Sequence, residues 1–163
     1  MAILKTANGT GKYYDDNSRA SVINYILNAH KTPGNYTGTV GLLSYDYADE
    51  MEQTAISFNK NTGVKLRHFV IAFESYEVKD PLTAFQIAYR IAKYFGREYQ
   101  TVFSVHEDTS QLHIHIVINS VSYIDGHRYR GTREEFYRLR KYIDNILKHY
   151  GISEIRYVSN KCY

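Results

Sequence analysis

Isoleucines alternate with polar residues between positions 112 and 121. Residues two apart share one face of a strand, and three isoleucines lie on one such face: Ile114, Ile116 and Ile118. The opposite face carries His113, His115 and Asn119. An apolar run at 101–106 comes just before, and a short polar loop joins the two segments. The pattern therefore predicts a β-hairpin with one apolar face and one polar face.

The rest of the chain mixes strand and helix patterns. Strands are predicted at 2–5, at 66–73 and, after an Asp125-Gly126 turn, at 128–130. A Gly-rich segment at 8–12 predicts a loop that lacks the spacing of a phosphate-binding motif. Four segments repeat apolar residues with the helical period between capping and stop signals: from Asn17 or Ser18 to before Thr32, 46–58, from Asp80-Pro81 to Gly96, and from the capping box at 132–135 to Gly151.

Helices mixed with hairpin-linked strands predict an α+β fold, in a single domain over residues 1–163. We expect a mainly antiparallel central sheet with helices packed on one face. The histidine face would then be the open one, where a ligand can reach it.

Composition narrows the class of protein. The chain has 44% hydrophobic residues, no apolar run of membrane-spanning length and no signal-peptide pattern. Its one cysteine, Cys162, excludes an internal disulfide, so we expect a cytoplasmic protein without a membrane partner. The net charge of +3 and the 17 tyrosines weakly favour a nucleic-acid partner. The abrupt ending at 158–163 suggests the N-terminal part of a longer protein.

Three histidines converge on the predicted hairpin: His106 ends its first strand, and His113 and His115 lie on its second. Side chains at i and i+2 of a strand lie about 7 Å apart, close enough to hold one ion between them. Neutral imidazole binds divalent transition metals, and three protein ligands leave coordination positions open. The alternative is a group of surface histidines, which is less favourable because unpaired cations on one patch repel one another.

The sequence also resembles a known family, the conjugative relaxases of the HUH endonuclease superfamily, with the MobP-type relaxase/mobilisation nuclease domain as the closest match. The resemblance covers nearly the whole chain in four blocks that come in the family's order: 24–32, 68–73, 106–119 and 126–153. In the first block a tyrosine is followed by Lys-Thr, and the third block is the three-histidine motif. Ala72 stands where the family usually has serine.

The resemblance implies an HUH-type fold, similar to the RRM and ferredoxin-like arrangements, and an enzyme that nicks one DNA strand at an origin of transfer. A tyrosine hydroxyl would attack the scissile phosphate, leaving a reversible 5′-phosphotyrosine link and a free 3′ hydroxyl. One divalent ion would offset the negative charge of the phosphate. Mn²⁺ or Mg²⁺ is expected, with Zn²⁺, Ni²⁺ or Co²⁺ as alternatives.

Tyr25 matches the nucleophile of the family's first block. It also lies on the apolar stripe of its predicted helix, so a packed core tyrosine is the alternative interpretation. Tyr13, Tyr14 and Tyr36 are further candidates, because a chain with 17 tyrosines does not single out one of them.

Other polar residues would support the attack. Tyrosine ionises only near pH 10, so its proton needs an acceptor. Asp108 matches the acidic residue that follows the family's first histidine; it would accept the proton or orient a histidine ligand, with Glu107 or a histidine as alternative bases. His68 is interpreted as a structural or DNA-contacting residue rather than a ligand. Five residues are expected to contact DNA: Lys31, Asn119, Arg128, Arg130 and Arg133.

The expected partners follow from the same resemblance. They are origin-of-transfer DNA, chiefly single-stranded with an adjacent hairpin or duplex, accessory relaxosome proteins and a type IV secretion coupling protein. The protein would act in the bacterial cytoplasm or travel with the DNA to the recipient cell. Three alternatives stay open: a rolling-circle replication initiator of the same chemistry, a non-catalytic single-strand nucleic-acid-binding module, and a zinc hydrolase that uses metal-bound water.

Overall fold

A computed structural model describes residues 1–7 and 12–158 and confirms the α+β class. The predicted loop at 8–12, except Lys12, and Cys162 lie outside these residues. In this part of the chain, no helix has both the length and the hydropathy needed to cross a bilayer. The described elements in chain order are β1 (Ile3–Thr6), α1 (Ser18–Ile26), β2 (Thr37–Val40), α2 (Tyr47–Ser57), β3 (Leu66–Ala72), α3 (Pro81–Gly96), β4 (Thr101–His106), β5 (His113–Asn119), α4 (Arg133–His149) and β6 (Arg156–Val158).

The strands form one sheet in the order β2-β4-β5-β3-β1-β6. Every neighbouring pair is antiparallel except β1 and β6, which run parallel. The predicted hairpin of β4 and β5 lies inside the sheet, with His106 opposite His113. On its other side, β3 places Ala72 opposite His113. The prediction of a mainly antiparallel sheet is therefore confirmed.

The two edge strands, β2 and β6, were not predicted. They have 4 and 3 residues, too few for a two-residue period to be recognised, and each forms because an inner strand supplies its hydrogen bonds. Conversely, the strand predicted at 128–130 is reduced to one bridge between Val121 and Arg128.

The larger apolar core lies between the sheet and the helices α3 and α4. The isoleucines of the hairpin are buried there: Ile114, Ile116 and Ile118. Ile87 and Ile91 of α3 and Ile143 of α4 pack into the same core. Both helices begin as predicted, since the side chains of Asp80 and Thr132 accept hydrogen bonds from backbone amides of the first turn.

The histidine-bearing face is only partly open, which corrects the prediction that all helices pack on one face. At the end of the strands away from His113, this face of the sheet is apolar. Helices α1 and α2 pack on it, because burial of apolar surface is favourable. Helix α1 ends at Ile26, earlier than expected, because the following residues turn back toward the hairpin. Six buried residues of α1, α2 and the sheet form this second core: Ile23, Ile26, Met51, Leu66, Val102 and Val117.

Asn119 lies in this second packed region and is fully buried. Its Nδ2 donates to the carbonyl oxygen of Met51 at 2.9 Å and to Gln100 Oε1 at 3.1 Å. Its Oδ1 accepts from Arg19 Nε at 3.3 Å. The prediction that Asn119 contacts DNA is therefore wrong, because its side chain joins α1 and α2 to the sheet. The alternation of side chains along the strand predicted which face carries Asn119, but not what covers that face.

We predict that Asn119→Ala lowers the free energy of unfolding by about 2–4 kcal/mol, because several buried polar groups lose their partner at once. Urea denaturation measures the change. The exposed Asn145 of α4 offers the matched control, and Asn145→Ala should shift stability by less than about 0.5 kcal/mol. Loss of DNA affinity in Asn119→Ala at unchanged stability would contradict the structural role.

Candidate metal centre

Three histidines meet where β4 ends and β5 begins. His106 and His115 are buried, and His113 is half-buried. The ring centroids of His106 and His115 are 4.0 Å apart, and His113 lies 5.2 Å from the first and 5.1 Å from the second. One nitrogen from each ring lies within 4.8 Å of the other two. The convergence predicted from the two-residue spacing is therefore present in the folded chain.

The second nitrogen of each ring is held by a hydrogen bond. His106 Nε2 donates to the carbonyl oxygen of Ile26 at 2.9 Å, and His113 Nδ1 donates to that of Gln111 at 3.1 Å. His115 Nδ1 is hydrogen-bonded to His68 Nε2 at 2.9 Å. Such outer partners fix the tautomer and the orientation of histidines that bind metals.

The remaining nitrogens of the two buried rings fit a metal ion. His106 Nδ1 and His115 Nε2 are buried and have no hydrogen-bond partner within the described part of the chain. A buried acceptor without a partner is costly, and coordination would satisfy both atoms. With His113, these two residues supply the three-nitrogen ligand set of an open divalent metal site.

Burial keeps the rings neutral, as metal ligation requires. It lowers the pKa of His106 and, together with the neighbouring histidines, that of His115. It also lowers the pKa of His68 to about 4. The alternative of a charged surface cluster therefore does not describe His106 and His115.

His68 is the site residue whose place was not predicted. Its ring lies against His115, and its Nδ1 is 3.4 Å from the hydroxyl of Tyr13. The shared face of Leu66, His68 and Val70 could be read from the sequence, but the β3–β5 register that sets His68 beside His115 could not.

Tyr25 lies over the histidine cluster at the end of α1. Its ring centroid is 5.7 Å from that of His106 and 5.8 Å from that of His115. The side chain keeps 46% of its surface exposed, so Tyr25 is not a packed core tyrosine. The hydrogen bond from His106 to Ile26, the next residue in the chain, fixes this end of the helix against the site.

The other candidate tyrosines lie elsewhere. Tyr13 is half-buried behind His68, and Tyr14 is exposed near the start of α1. Tyr36 packs against Phe85 in the core of α3 and α4, on the other side of the sheet. The geometry therefore favours Tyr25 among the four.

Lys31 and Asp108 border the cluster beside Tyr25. Lys31 Nζ is 2.7 Å from Asp108 Oδ2 and 5.2 Å from the centroid of the Tyr25 ring. Asp108 Oδ1 is 3.7 Å from His113 Nε2. The hydrogen bond from Lys31 lowers the pKa of Asp108, which stays ionised. Glu107 instead accepts a hydrogen bond from the amide of Gly34 at 3.1 Å and so ties the preceding turn to the hairpin.

The predicted DNA-contacting arginines lie away from this cluster. Arg128 bridges to Val121, beyond the far end of β5, and donates to the carbonyl oxygens of Lys60 and Thr62, both at 2.6 Å. These bonds brace the loop before β3, and a DNA contact by the half-buried Arg128 stays a prediction. Arg130 and Arg133 are exposed.

The fold and the site define a class of protein: an α+β domain with a three-histidine cluster, suited to a divalent metal ion, beside a half-exposed tyrosine. The sequence matches the family described as "Relaxase: MobA/VirD2-like, nuclease domain" over residues 25–152, which is most of the chain. The chain belongs to this family of relaxase nuclease domains, and the resemblance seen in the sequence is confirmed.

Individual relatives agree with that assignment. Two Staphylococcus aureus proteins, each called "Protein rlx", are similar to this chain. One is 30% identical over an alignment that covers 69% of the chain, and the other is 29% identical over 66% of it. The chain spans only 37% and 34% of their lengths. The Escherichia coli "Protein TraI" is 40% identical to 45% of the chain, which covers 10% of it.

A solved structure has the same fold. It comes from work on the "Molecular Basis of Vancomycin Resistance Transfer in Staphylococcus aureus". The alignment covers 99% of this chain and 97% of that one, with a TM-score of 0.54 and 12% sequence identity.

We predict that a divalent ion stabilises the folded protein through the three histidines. At a hundred times its Kd, free Mn²⁺ should raise the free energy of unfolding by about 2.7 kcal/mol. Calorimetric melting of EDTA-treated protein with added Mn²⁺ measures the shift. His115→Ala should lose it, whereas the exposed His149→Ala should keep it. An equal shift in His115→Ala would rule out this site as the origin.

We predict that the metal-free protein loses stability as the pH falls from about 6.5 to about 4. The folded-state pKa of His68 is about 4, below the ordinary value of 6.5, so the unfolded chain binds more protons in this interval. His68 alone accounts for roughly 2–3 kcal/mol. Melting temperatures across this range, in parent, His68→Asn and the exposed His149→Asn, test it. The change of melting temperature with pH should become smaller only in His68→Asn. A melting temperature that does not change with pH in the parent would contradict the prediction.

Proposed function

We propose that this domain nicks one DNA strand at an origin of transfer through Tyr25, forming a reversible 5′-phosphotyrosine link for conjugative transfer. The observation that carries the proposal is the position of Tyr25: a half-exposed tyrosine whose ring lies within 6 Å of two buried, neutral histidines that converge on one point. A non-catalytic binding module would give no reason to bury two imidazole nitrogens without partners.

The reaction exchanges one phosphoester bond for another. Tyr25 Oη bonds to phosphorus, the bond from phosphorus to the 3′ oxygen breaks, and that oxygen takes up a proton to become the free 3′ hydroxyl. Because the number of phosphodiester bonds is conserved, the 3′ hydroxyl can attack the tyrosine ester and rejoin the strand. The phenol proton can leave to solvent, since the side chain is half-exposed.

His106, His113 and His115 would hold the divalent ion, of which Mn²⁺ and Mg²⁺ are the first candidates. When bound, the ion would supply positive charge beside a non-bridging oxygen of the phosphate. Burial and the hydrogen bonds to Ile26 and His68 keep two of the rings in place for this task. The histidines would therefore hold the ion that orients the phosphate and offsets its charge, while Tyr25 would form the new bond to phosphorus.

Lys31 and Asp108 would act as a pair. Lys31 extends over the Tyr25 ring, where its ammonium group can contact the phosphate next to the scissile bond. Asp108 keeps Lys31 in place and lies near His113, so it orients both neighbours. Its lowered pKa makes it a weak acceptor for the phenol proton, and the positioning role is the one we assign.

The wider setting of the proposal follows from the family. The substrate would be origin-of-transfer DNA, single-stranded at the nick with a hairpin or duplex beside it, and the exposed Arg130 and Arg133 would contribute phosphate contacts. Accessory relaxosome proteins and a type IV secretion coupling protein would be partners of the whole protein, in the bacterial cytoplasm. Residues 1–163 would be the nicking domain of a longer protein, in keeping with the 37% and 34% of the matched relatives that the chain spans.

We predict that Tyr25→Phe abolishes the covalent DNA adduct, because phenylalanine has no oxygen to attack phosphorus. The substrate is a single-stranded oligonucleotide carrying the origin of transfer of the source element, incubated with protein and Mn²⁺. Denaturing gels detect the DNA-shifted protein band, which EDTA should also remove. The exposed Tyr14 provides the matched control, and Tyr14→Phe should form the adduct at the parent level. An adduct with Tyr25→Phe would overturn the assignment, and cleavage without any adduct would indicate hydrolysis by metal-bound water.

A further inference from the structure

A second cavity lies on the opposite side of the sheet, between β1, β3, β6 and the first turns of α4. Its volume is about 540 Å³, within the range of small-ligand sites. Arg67 on β3 marks its position: it pairs with Ile118, about 17 Å along β5 from His113. Eight described residues line the cavity: Thr6, Arg67, Phe69, Tyr129, Gly131, Arg133, Phe136 and Tyr157.

The charge of the cavity favours an anion. Arg67 and Arg133 contribute two guanidinium groups, and no carboxylate is among the described residues that line it. Within residues 1–7 and 12–158, the side chain of Arg67 makes one hydrogen bond, from Nη2 to the carbonyl oxygen of Arg130 at 3.3 Å. Its Nε is buried and lacks a partner among the described residues. A buried N–H of a charged group needs an acceptor, and phosphate oxygens match the planar guanidinium fork.

The apolar wall of the cavity favours a flat ring. Phe136 and Tyr157 are half-buried, and their ring centroids are 4.2 Å apart. The hydroxyl of Tyr157 is 3.4 Å from Thr6 Oγ1, which ties the ring to β1. Aromatic side chains beside arginines are the surface on which unpaired bases stack.

We propose that this cavity binds one unpaired nucleotide of the DNA strand, with its phosphate on Arg67 and Arg133 and its base against Phe136 and Tyr157. That the nucleotide belongs to DNA rests on the proposed function. That the ligand is a nucleotide rests on the arginines and aromatic rings that line the cavity. The site lies on the face away from Tyr25, so the bound nucleotide belongs to a part of the strand outside the nick. It holds the DNA without touching the reacting atoms.

The test measures binding without cleavage. Origin-of-transfer oligonucleotides with 2-aminopurine at successive positions are titrated with protein in EDTA, so the result does not depend on Tyr25 or on metal. In the parent protein, the fluorescence of 2-aminopurine at one of these positions should be quenched, because that base stacks on the aromatic rings. Arg133→Gln, which changes an exposed side chain, should weaken binding about tenfold and lower the slope of log affinity against log salt by about 0.7. Arg67→Gln and Phe136→Leu should restore the fluorescence of the same position.

Arg140→Gln is the matched control, because Arg140 is exposed on the same helix and the charge change is identical. Arg133→Gln with the affinity and salt slope of Arg140→Gln would overturn the proposal. A second arm titrates dAMP. Saturable dAMP binding that Arg133→Gln removes, with oligonucleotide binding unchanged, would assign the cavity to a free nucleotide and overturn its assignment to the strand. Because this titration is made in EDTA and measures binding alone, its failure can be distinguished from a failure of the Tyr25→Phe test, which measures the covalent adduct.

Discussion

The site depends on one constraint, which is that imidazoles buried under α1 must stay neutral and keep one nitrogen free. An uncharged ring satisfies burial, and a hydrogen bond from its other nitrogen decides which atom faces inward. The carbonyl oxygen of Ile26 does this for His106, and His68 does it for His115. Without those two partners, either ring could turn its protonated nitrogen toward the centre and the ligand set would be lost.

The hydrogen bond between His106 and Ile26 also couples Tyr25 to the histidine cluster. Ile26 follows Tyr25, so the helix end that orients His106 also sets the tyrosine above it. Further along α1, the buried Arg19 is hydrogen-bonded to Asn119 on β5, the strand that carries His113 and His115. These hydrogen bonds attach both ends of helix α1 to the hairpin, so a shift of the helix would displace Tyr25 and His106 together.

Much of this arrangement was predictable from local patterns. The period of two in β5, the capping box of α4 and the spacing of the three histidines correctly predicted the hairpin, a helix boundary and the convergence of the histidines. The failures concern residues whose surroundings come from distant elements. Asn119 carries a polar group expected on a DNA surface, but it is fully buried and hydrogen-bonded to Met51 and Gln100. His68 gains its role through strand register, which no local pattern encodes.

On the proposed function, the distribution of charge would separate the binding of the DNA strand from its cleavage. Near the histidines, the ammonium group of Lys31 is offset by Asp108, so these side chains add little net attraction for a phosphate. Arg67 and Arg133 lie at the far end of the sheet, where no carboxylate lines their cavity among the described residues. On the proposed function, affinity would therefore come mainly from the arginine end, and the bound ion would add charge only where bonds are exchanged. Such a division suits a reversible reaction, because a strand held elsewhere keeps its 3′ end close enough to rejoin.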